Sequence, residues 1–172
     1  MLDHDLPPMT LPVSHDTVYL TCADSSGMMV SFIQSNFRAF GSGIVIPGTG
    51  IAMQNRGSGF VLDAQHPNSV GPGKRPFHTI IPGFVTQEGA PLLSFGVMGG
   101  HMQHQGHVHM VNRIYDHGQN PQAASDAPRW TVYPDMSVGL EEGIQLSIAQ
   151  ALQARGPPVR TAHNESTWGG GK

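Results

Sequence analysis

A strand–turn–strand pattern near the start of the chain restricts its fold more than any other feature. Residues 16–24 alternate apolar and polar positions and are rich in β-branched and aromatic types, which is typical of a strand. Ser26-Gly27 supplies a turn, and residues 28–34 resume the strand pattern. The pair therefore predicts an antiparallel hairpin. Cys22 lies inside the first strand, so we expect a buried and unreactive thiol there.

Thr17 stands at the beginning of this hairpin and has two possible explanations. A threonine in a strand is most often a simple β-former. A threonine whose own α-amine is free can also act as a nucleophile, because the amine, with a pKa near ~7.7, serves as the base. Such chemistry also needs donors for an oxyanion. Gly99-Gly100, between a strand pattern and a helix pattern, is a candidate for these donors or simply a tight turn.

Composition limits the class of protein and its partners. The 172 residues are enough for one domain with a core, and the 22 glycines and 14 prolines predict many turns. A net charge of −3 gives no electrostatic reason to expect nucleic acid or an anionic membrane as partner. No run approaches the ~20 apolar residues of a membrane span, and the first residues lack the pattern of a signal peptide. One cysteine excludes an internal disulfide, so we expect a cytoplasmic rather than a secreted protein.

The rest of the chain places strands first and helices later, which favours an α+β fold over a parallel doubly wound sheet. A long loop rich in glycine and proline covers residues 56–76 and is expected to be functional or mobile. A short helix is predicted to begin with Asn120 as N-cap and Pro121 at its first position, and Gly118 is placed to end the preceding helix. The further strands predicted are 44–46, 51–55, 79–84, 92–97 and 130–133, and the helices are 101–117, 120–127 and 144–154.

Histidines crowd one segment, and this suggests a metal-binding alternative. Neutral imidazoles at such spacing can bind zinc or nickel. However, no carboxylate lies among them, and Gly106 weakens the helix that would hold them. Partly solvated polar residues near a helix start are therefore the preferred interpretation, and a metal-binding protein is kept as a less favoured hypothesis. The histidines concerned are His101, His104, His107 and His109.

A series of short motifs, taken in order, resembles a known family. The motifs are Asp16-Thr17-Val18-Tyr19-Leu20, Gln34-Ser35-Asn36-Phe37, Phe40-Gly41-Ser42-Gly43, Gln54-Asn55-Arg56-Gly57, Gly73-Lys74-Arg75-Pro76, Met98-Gly99-Gly100 and Ala127-Pro128-Arg129-Trp130. With them the chain resembles the small, C-terminal subunit of the γ-glutamyltranspeptidases, which belong to the N-terminal nucleophile hydrolases. The likeness runs from about Asp16 to Trp130 and more loosely to Gly171.

The resemblance implies an αββα sandwich and a proenzyme that cuts itself into a large and a small subunit. The cut would fall between Asp16 and Thr17, and Thr17 would then attack a γ-glutamyl or related amide without a cofactor or metal. Ser35 matches the family's hydroxyl that hydrogen-bonds the nucleophile, and Gly99 and Gly100 match its oxyanion-hole pair. The implied partners are a large subunit and a small-molecule amide, with neither nucleic acid nor membrane.

Departures from the family pattern affect the expected substrate. The γ-glutamyl enzymes hold the α-amino group of the substrate with a Gln and an Asp. At that place this chain has Gln54-Asn55-Arg56-Gly57-Ser58-Gly59, which contains no acidic residue. Phe37 also replaces an asparagine that is expected close to the amino group. A substrate ammonium would lose its partners here, whereas a substrate acid would gain a cation. The resemblance is closer to the branch with oxamate amidohydrolase and glutaryl-type cephalosporin acylases, which predicts dicarboxylic mono-amides without an amino group. The candidate substrate-binding residues are Asn36, Asn55, Arg56, His78 and Thr79.

The extent of the resemblance raises the question of completeness. Residues 1–16 are interpreted as a lead-in from the large-subunit region, and residues 17–172 as a small-subunit catalytic region that stops before the last expected strands. Such a piece would leave a sheet face uncovered, so we expect instability or self-association without a partner, including a homo-oligomer. The alternative function is an inactive fragment or a non-catalytic subunit that keeps the fold.

Overall fold

The computed structural model describes residues 17–161 and Trp168, and the chain enters it through an antiparallel hairpin. Strands β1 (Thr17–Ala23) and β2 (Met29–Ser35) pair along their whole length. Asp24 fixes the turn, since its Oδ1 accepts hydrogen bonds from the N–H groups of Ser26 at 2.8 Å and Met28 at 3.2 Å. The predicted hairpin is confirmed, with each strand end within one residue of its expected place.

A second hairpin, β3 (Pro82–Gln87) and β4 (Ala90–Gly96), packs on one face of the first. The Tyr19 ring lies directly on Gly96, and a side chain at Gly96 would overlap it. Ser31 Oγ donates to the carbonyl of Gly83 at 2.7 Å, and the hydroxyls of Thr21 and Ser94 are hydrogen-bonded to each other. These contacts stack the two hairpins as adjacent layers.

Helix α1 (Met102–Val111) covers the opposite face of β4 and continues into a π-helical turn over Asn112–Asp116. Gly106 lies against Val97, and the His107 ring centroid is 4.7 Å from that of Phe95. Alternation along the strand explains the arrangement, because Phe95 and Val97 point away from the first hairpin. The order of layers is therefore strand pair, strand pair, helix. This is part of an αββα sandwich and agrees with the predicted α+β class.

The helix ends behave as the sequence predicts. Gly118 adopts φ +64° just after the π-helical turn, which is the left-handed conformation of a residue that ends a helix. Helix α2 (Pro121–Asp126) begins at Asn120, whose Oδ1 accepts the N–H of Ala123 at 2.8 Å. None of the helices in the described part of the chain is both long and apolar enough to cross a membrane.

The last part of the chain forms a small three-stranded sheet. Strand β5 (Trp130–Val132) pairs antiparallel with β6 (Val138–Leu140), and β6 pairs parallel with β7 (Val159–Thr161). Helix α3 (Leu146–Gln153) connects the two parallel strands. The sequence predicts β5 and α3 but neither β6 nor β7.

Three sequence predictions about strands and burial are wrong. Residues 44–46 and 51–55 form only an isolated bridge between Val45 and Ala52, because each segment is short and lies between two tight turns. Cys22 is exposed, since alternation places it on the face of β1 turned away from the second hairpin. That outer face of the hairpin is apolar and, among the described residues, uncovered: Val18 is 64 % exposed, and Leu20, Val30 and Phe32 share the face. This exposed apolar face agrees with the uncovered sheet face that the sequence predicts.

Candidate active site

Thr17 and Ser35 face each other at the open end of the first hairpin. They are direct partners in the strand register, and the Thr17 hydroxyl donates to Ser35 Oγ at 3.0 Å. The N–H of Phe37 donates to the same oxygen at 2.9 Å. Thr17 is only 9 % exposed. Because Ser35 Oγ accepts two hydrogen bonds, its own hydrogen is left to donate elsewhere, so the pair can orient a hydroxyl and pass on a proton.

Phe37 holds an unusual backbone conformation beside this pair. Its φ of +79° lies in the left-handed region, where a bulky residue is strained. The guanidinium carbons of Arg38 and Arg56 lie over its ring, at 5.3 Å and 5.0 Å from the ring centroid. The strained residue therefore links the Ser35 hydroxyl to two cations.

The loop after β2 is held by the predicted site residue Asn55. Its Oδ1 accepts the N–H of Arg38 at 3.0 Å, and its Nδ2 donates to the carbonyl of Gly41 at 3.1 Å. Its backbone N–H donates to the carbonyl of Asn36 at 3.1 Å. Asn36 and Asn55 are thus brought together, and the Asn55 side chain positions the loop that carries Phe37.

Arg56 lines a pocket of about 220 Å³ with Phe37, Thr79 and His101. Its Nη1 donates to the hydroxyl of buried Thr79 at 3.5 Å, whereas its buried Nη2 has no hydrogen-bond partner among the described residues. Burial lowers the pKa of Arg56, although an arginine remains charged at neutral pH. A half-buried cation that has no salt-bridge partner among the described residues is suited to bind an anion. The neighbouring candidate His78 is exposed and does not line this pocket.

Gly99 and Gly100 lie between β4 and α1. Both adopt positive φ, +128° and +55°, so glycine is needed there. Their carbonyls accept from the N–H groups of Met102 at 3.0 Å and Gln103 at 3.1 Å. Within residues 17–161, the two glycine N–H groups donate to no backbone carbonyl. The pair lines a second pocket of about 290 Å³, which shares Phe37, Arg38 and His101 with the Arg56 pocket.

The crowded histidines pack on separate aromatic rings. His101 and His104 both contact Phe77, at centroid distances of 6.3 and 6.4 Å. His107 packs on Phe95, as described above, and His109 lies 4.5 Å from Trp130. In the described part of the chain, no three His, Cys, Asp or Glu side chains form a group that could hold a metal ion. Each of the four histidines thus has an aromatic neighbour.

The sequence analysis does not predict the ion pair between Arg129, which precedes β5, and Glu141, which follows β6. Arg129 donates to Glu141 through Nε at 3.0 Å and Nη2 at 2.7 Å, and its Nη1 donates to the carbonyl of Trp168 at 2.8 Å. Burial on its own raises the pKa of Glu141, but the hydrogen bonds from Arg129 outweigh it and hold that pKa below its ordinary value. The pair ties β5 to β6 and so supports one wall of the second pocket.

His109, next to this cluster, should make stability depend on pH. Burial, reinforced by the charges of Arg113 and Arg129, lowers the pKa of His109 to about 4. The unfolded chain, with a histidine pKa of about 6.5, therefore binds more protons than the folded chain between these values. The contribution of neutral His109 to the free energy of unfolding is fully present above about pH 6.5. It is lost as the pH falls towards 4, and the loss amounts to about 3 kcal/mol.

Urea unfolding between pH 4 and pH 8 measures this effect. The variant His109→Leu should reduce the slope between pH 4 and 6.5 by the share of His109, leaving that of His107, whose pKa burial also lowers, whereas His117→Leu, at an exposed position, should keep the full slope. An unchanged slope in His109→Leu would contradict the assignment.

The family model described as Gamma-glutamyltranspeptidase matches residues 3–171. The chain is 43 % identical, over 73 % of its length, to the glutathione hydrolase-like YwrD proenzyme of Bacillus subtilis. It is 44 % identical, over 67 % of its length, to the oxamate amidohydrolase proenzyme of Klebsiella pneumoniae. These matches cover only 24 % and 22 % of the two proenzymes, so the chain spans about a quarter of the length of these relatives.

A solved structure agrees with the sequence comparisons. The crystal structure of cephalosporin acylase from Bacillus halodurans superposes with a TM-score of 0.82 at 50 % identity, covering 93 % of this chain and 31 % of that one. The predicted family, its acylase branch and the N-terminal nucleophile hydrolase fold are therefore confirmed. This chain belongs to the γ-glutamyltranspeptidase family.

Proposed function

We propose that this chain carries the nucleophile of an amidohydrolase, and that Thr17 becomes that nucleophile when the bond from Asp16 to Thr17 is cut. The observation that carries the proposal is the hydrogen bond of 3.0 Å from the Thr17 hydroxyl to Ser35 Oγ, at the first residue of β1. Membership of a family whose similar relatives are named proenzymes supports it. The transferred group is the acyl part of a γ-glutamyl or related dicarboxylic mono-amide.

Maturation would follow from the same hydroxyl. Thr17 Oγ1 attacks the carbonyl carbon of Asp16, the C–N bond breaks, and the acyl group moves from nitrogen to oxygen as an ester. That shift frees the α-amine of Thr17, and water then hydrolyses the ester, which releases the carboxylate of Asp16 and restores the Thr17 hydroxyl. Ser35 Oγ, within hydrogen-bond reach of Thr17 Oγ1, orients the hydroxyl in this step.

Hydrolysis of the substrate would use the freed amine as the base. The amine takes the proton of the Thr17 hydroxyl as Oγ1 attacks the amide carbon, and it gives that proton to the leaving nitrogen. The N–H groups of Gly99 and Gly100 stabilise the oxyanion, a role for which donors that make no backbone hydrogen bond are suited. Water, or an acceptor amine, then attacks the Thr17 ester and releases the acyl group.

A large subunit is the partner that such an enzyme requires. The outer face of the first hairpin exposes Val18, Leu20, Val30 and Phe32 side by side, and Phe32 is 45 % exposed. An apolar sheet face of this kind is normally covered in a folded protein. Because the chain spans about a quarter of its relatives, we assign the cover to the large subunit of the same proenzyme.

The acyl group is best matched by a dicarboxylic mono-amide without an α-amino group. Arg56 places a half-buried cation in its pocket, with one buried nitrogen that has no hydrogen-bond partner among the described residues, and Thr79 adds a hydroxyl. Among the residues that the structure describes, no Asp or Glu lines this pocket, so a substrate ammonium would meet Arg56 without a carboxylate from these residues to balance it. The free carboxylate of the substrate instead pairs with Arg56.

We expect the assembled enzyme to hydrolyse glutaryl-p-nitroanilide at least about tenfold faster, by kcat/KM, than γ-glutamyl-p-nitroanilide, because a repelled ammonium costs roughly 1.4 kcal/mol or more. Arg56→Gln should reduce this preference, mainly through the KM of the glutaryl compound. Arg75→Gln, an exposed arginine in the neighbouring loop, is the matched control and should keep it. A clear preference of the wild type for the γ-glutamyl compound would contradict the assignment.

A further inference from the structure

Gln103, in the first turn of helix α1, is a polar side chain buried completely inside the protein. It is 0 % exposed, and a buried amide is costly unless it is hydrogen-bonded. Its neighbours show where the nitrogen points. The carbonyl oxygens of Thr79 and Val97 can only accept hydrogen bonds, so Nε2 must face them. This nitrogen donates to the Thr79 carbonyl at 2.6 Å and to the Val97 carbonyl at 3.3 Å.

The same residue is tied to the glycine pair between β4 and α1. The backbone N–H of Gln103 donates to the carbonyl of Gly100 at 3.1 Å. Val97, which accepts from the side chain, lies two residues before Gly99. Val97 is 3 % exposed, and a side chain at Gly106 would overlap it, so this segment packs tightly on α1. Gln103 therefore holds the chain on both sides of the glycine pair.

Through Thr79, Gln103 also reaches the Arg56 pocket. Thr79 is 2 % exposed, and its hydroxyl accepts from Arg56 Nη1 at 3.5 Å while its carbonyl accepts from Gln103. Thr79 lies before β3, outside the named strands and helices, so no strand pairing fixes its place. One buried amide thus joins the segment that carries the glycine pair to the residue that holds the cation.

This connection matters for the length of a substrate. A dicarboxylic mono-amide has its reacting carbonyl at one end of the acyl chain and its free carboxylate at the other. In the proposed function the carbonyl lies at Gly99 and Gly100 and the carboxylate lies at Arg56. The number of methylene groups between the two ends must then match the spacing of these protein groups. Hydrogen bonds within a buried network make its members rigid, and here they hold that spacing constant.

We propose that Gln103 is a positioning residue that sets the acyl-chain length accepted by the enzyme. The inference rests on the proposed function and deepens it, because it concerns the distance from the amide to the free carboxylate. Since Gln103 is completely buried, it touches no substrate and acts through Thr79 and the glycine pair. A shorter acyl chain would not reach Arg56, and a longer one would displace the reacting carbonyl from the glycine N–H groups.

Three p-nitroanilides test this assignment in the assembled enzyme. The succinyl, glutaryl and adipyl compounds differ by one methylene group each. We expect the wild type to prefer one length over the other two by at least about tenfold in kcat/KM, which is the usual discrimination for one methylene group. Gln103→Met keeps the length of the side chain but has no amide, so it should reduce the preference to about threefold or less. Gln103→Asn keeps the amide but is one methylene group shorter and cannot reach both carbonyls, so it should weaken the preference as well.

The control variant is Ser137→Ala. Ser137 is 5 % exposed, and its hydroxyl donates to Asp135 Oδ1 at 2.6 Å. The change therefore also removes a hydrogen bond of a buried side chain, but one that lies outside both pockets. The ratios of kcat/KM among the three compounds should stay as in the wild type. A general loss of activity would lower all three values by the same factor, so the ratios separate positioning from folding.

Wild-type ratios in an assembled Gln103→Met or Gln103→Asn protein would overturn the inference, because the amide would then have only a structural role. The inference also fails if the wild type hydrolyses all three compounds equally well, or if neither variant assembles. In each of these cases the proposed function stands. If the wild type hydrolyses none of the three compounds in a manner that depends on Thr17, the proposed function fails with it.

Discussion

Replacing Thr17 with alanine should lower amide hydrolysis by roughly 10⁴-fold or more, because the variant has no hydroxyl to form the acyl-enzyme. The same change removes the atom that attacks the carbonyl of Asp16, so the chain should stay uncut. Thr17→Ser keeps a hydroxyl at the same place and should retain both reactions at a reduced rate. Hydrolysis of glutaryl-p-nitroanilide by the assembled enzyme, followed by absorbance, measures the effect.

The matched control for this variant is Thr21→Ala. Thr21 lies on the same face of β1, and its hydroxyl bonds to Ser94 rather than to Ser35. It should therefore keep activity within about twofold, as expected of a residue away from the reacting atoms. Full activity of Thr17→Ala would refute the role of this hydroxyl.

Replacing Arg129 with methionine should destabilise the protein by about 3 kcal/mol, because the Glu141 carboxylate would lose its cationic partner while staying mostly buried. The Arg129 and Glu141 side chains are only 19 % and 25 % exposed. The change also removes the hydrogen bond to the carbonyl of Trp168. Urea unfolding of the assembled protein at neutral pH measures the loss.

Arg160→Met is the corresponding change at an exposed ion pair. Arg160 Nη2 lies 3.9 Å from Asp135 Oδ2, and the two side chains are 53 % and 64 % exposed. Solvent screens such a pair, so we expect the loss of stability to be much smaller than that of Arg129→Met. Equal losses in the two variants would show that burial does not set the strength of the Arg129–Glu141 contact.

Local pattern was sufficient to predict the elements that have strong internal signals. The hairpin of β1 and β2 has alternation over seven residues in each strand and a glycine in its turn. Helix α2 has an asparagine cap followed by proline, and the structure forms that cap. Both signals act within a few residues, so no distant contact is needed to specify them.

The elements that were missed depend on distant contacts. Strands β6 and β7 have only three residues each, and their parallel pairing depends on the helix that lies between them in the chain. Cys22 was predicted to be buried, but it is exposed. Alternation in the sequence separates the two faces of a strand but does not say which face packs against the rest of the protein.

The candidate site divides in the same way. Family motifs pointed to Thr17, Ser35 and the glycine pair, and the structure brings Thr17 within hydrogen-bond distance of Ser35. The left-handed conformation of Phe37 and the unpartnered nitrogen of Arg56 have no local signal, because each results from a loop packed on another loop. Arg129 and Glu141 lie outside the predicted strands, and only folding places the two charges together.

The N-terminus generated in the expressed protein tests the central claim most directly. Intact mass measurement with N-terminal sequencing, on the protein assembled with its large subunit, should find a polypeptide that begins at Thr17. The Thr17→Ala variant, prepared in the same way, should give only the uncut chain. A wild-type chain that remains intact between Asp16 and Thr17 while it hydrolyses glutaryl-p-nitroanilide would contradict the claim that Thr17 acts through its own α-amine.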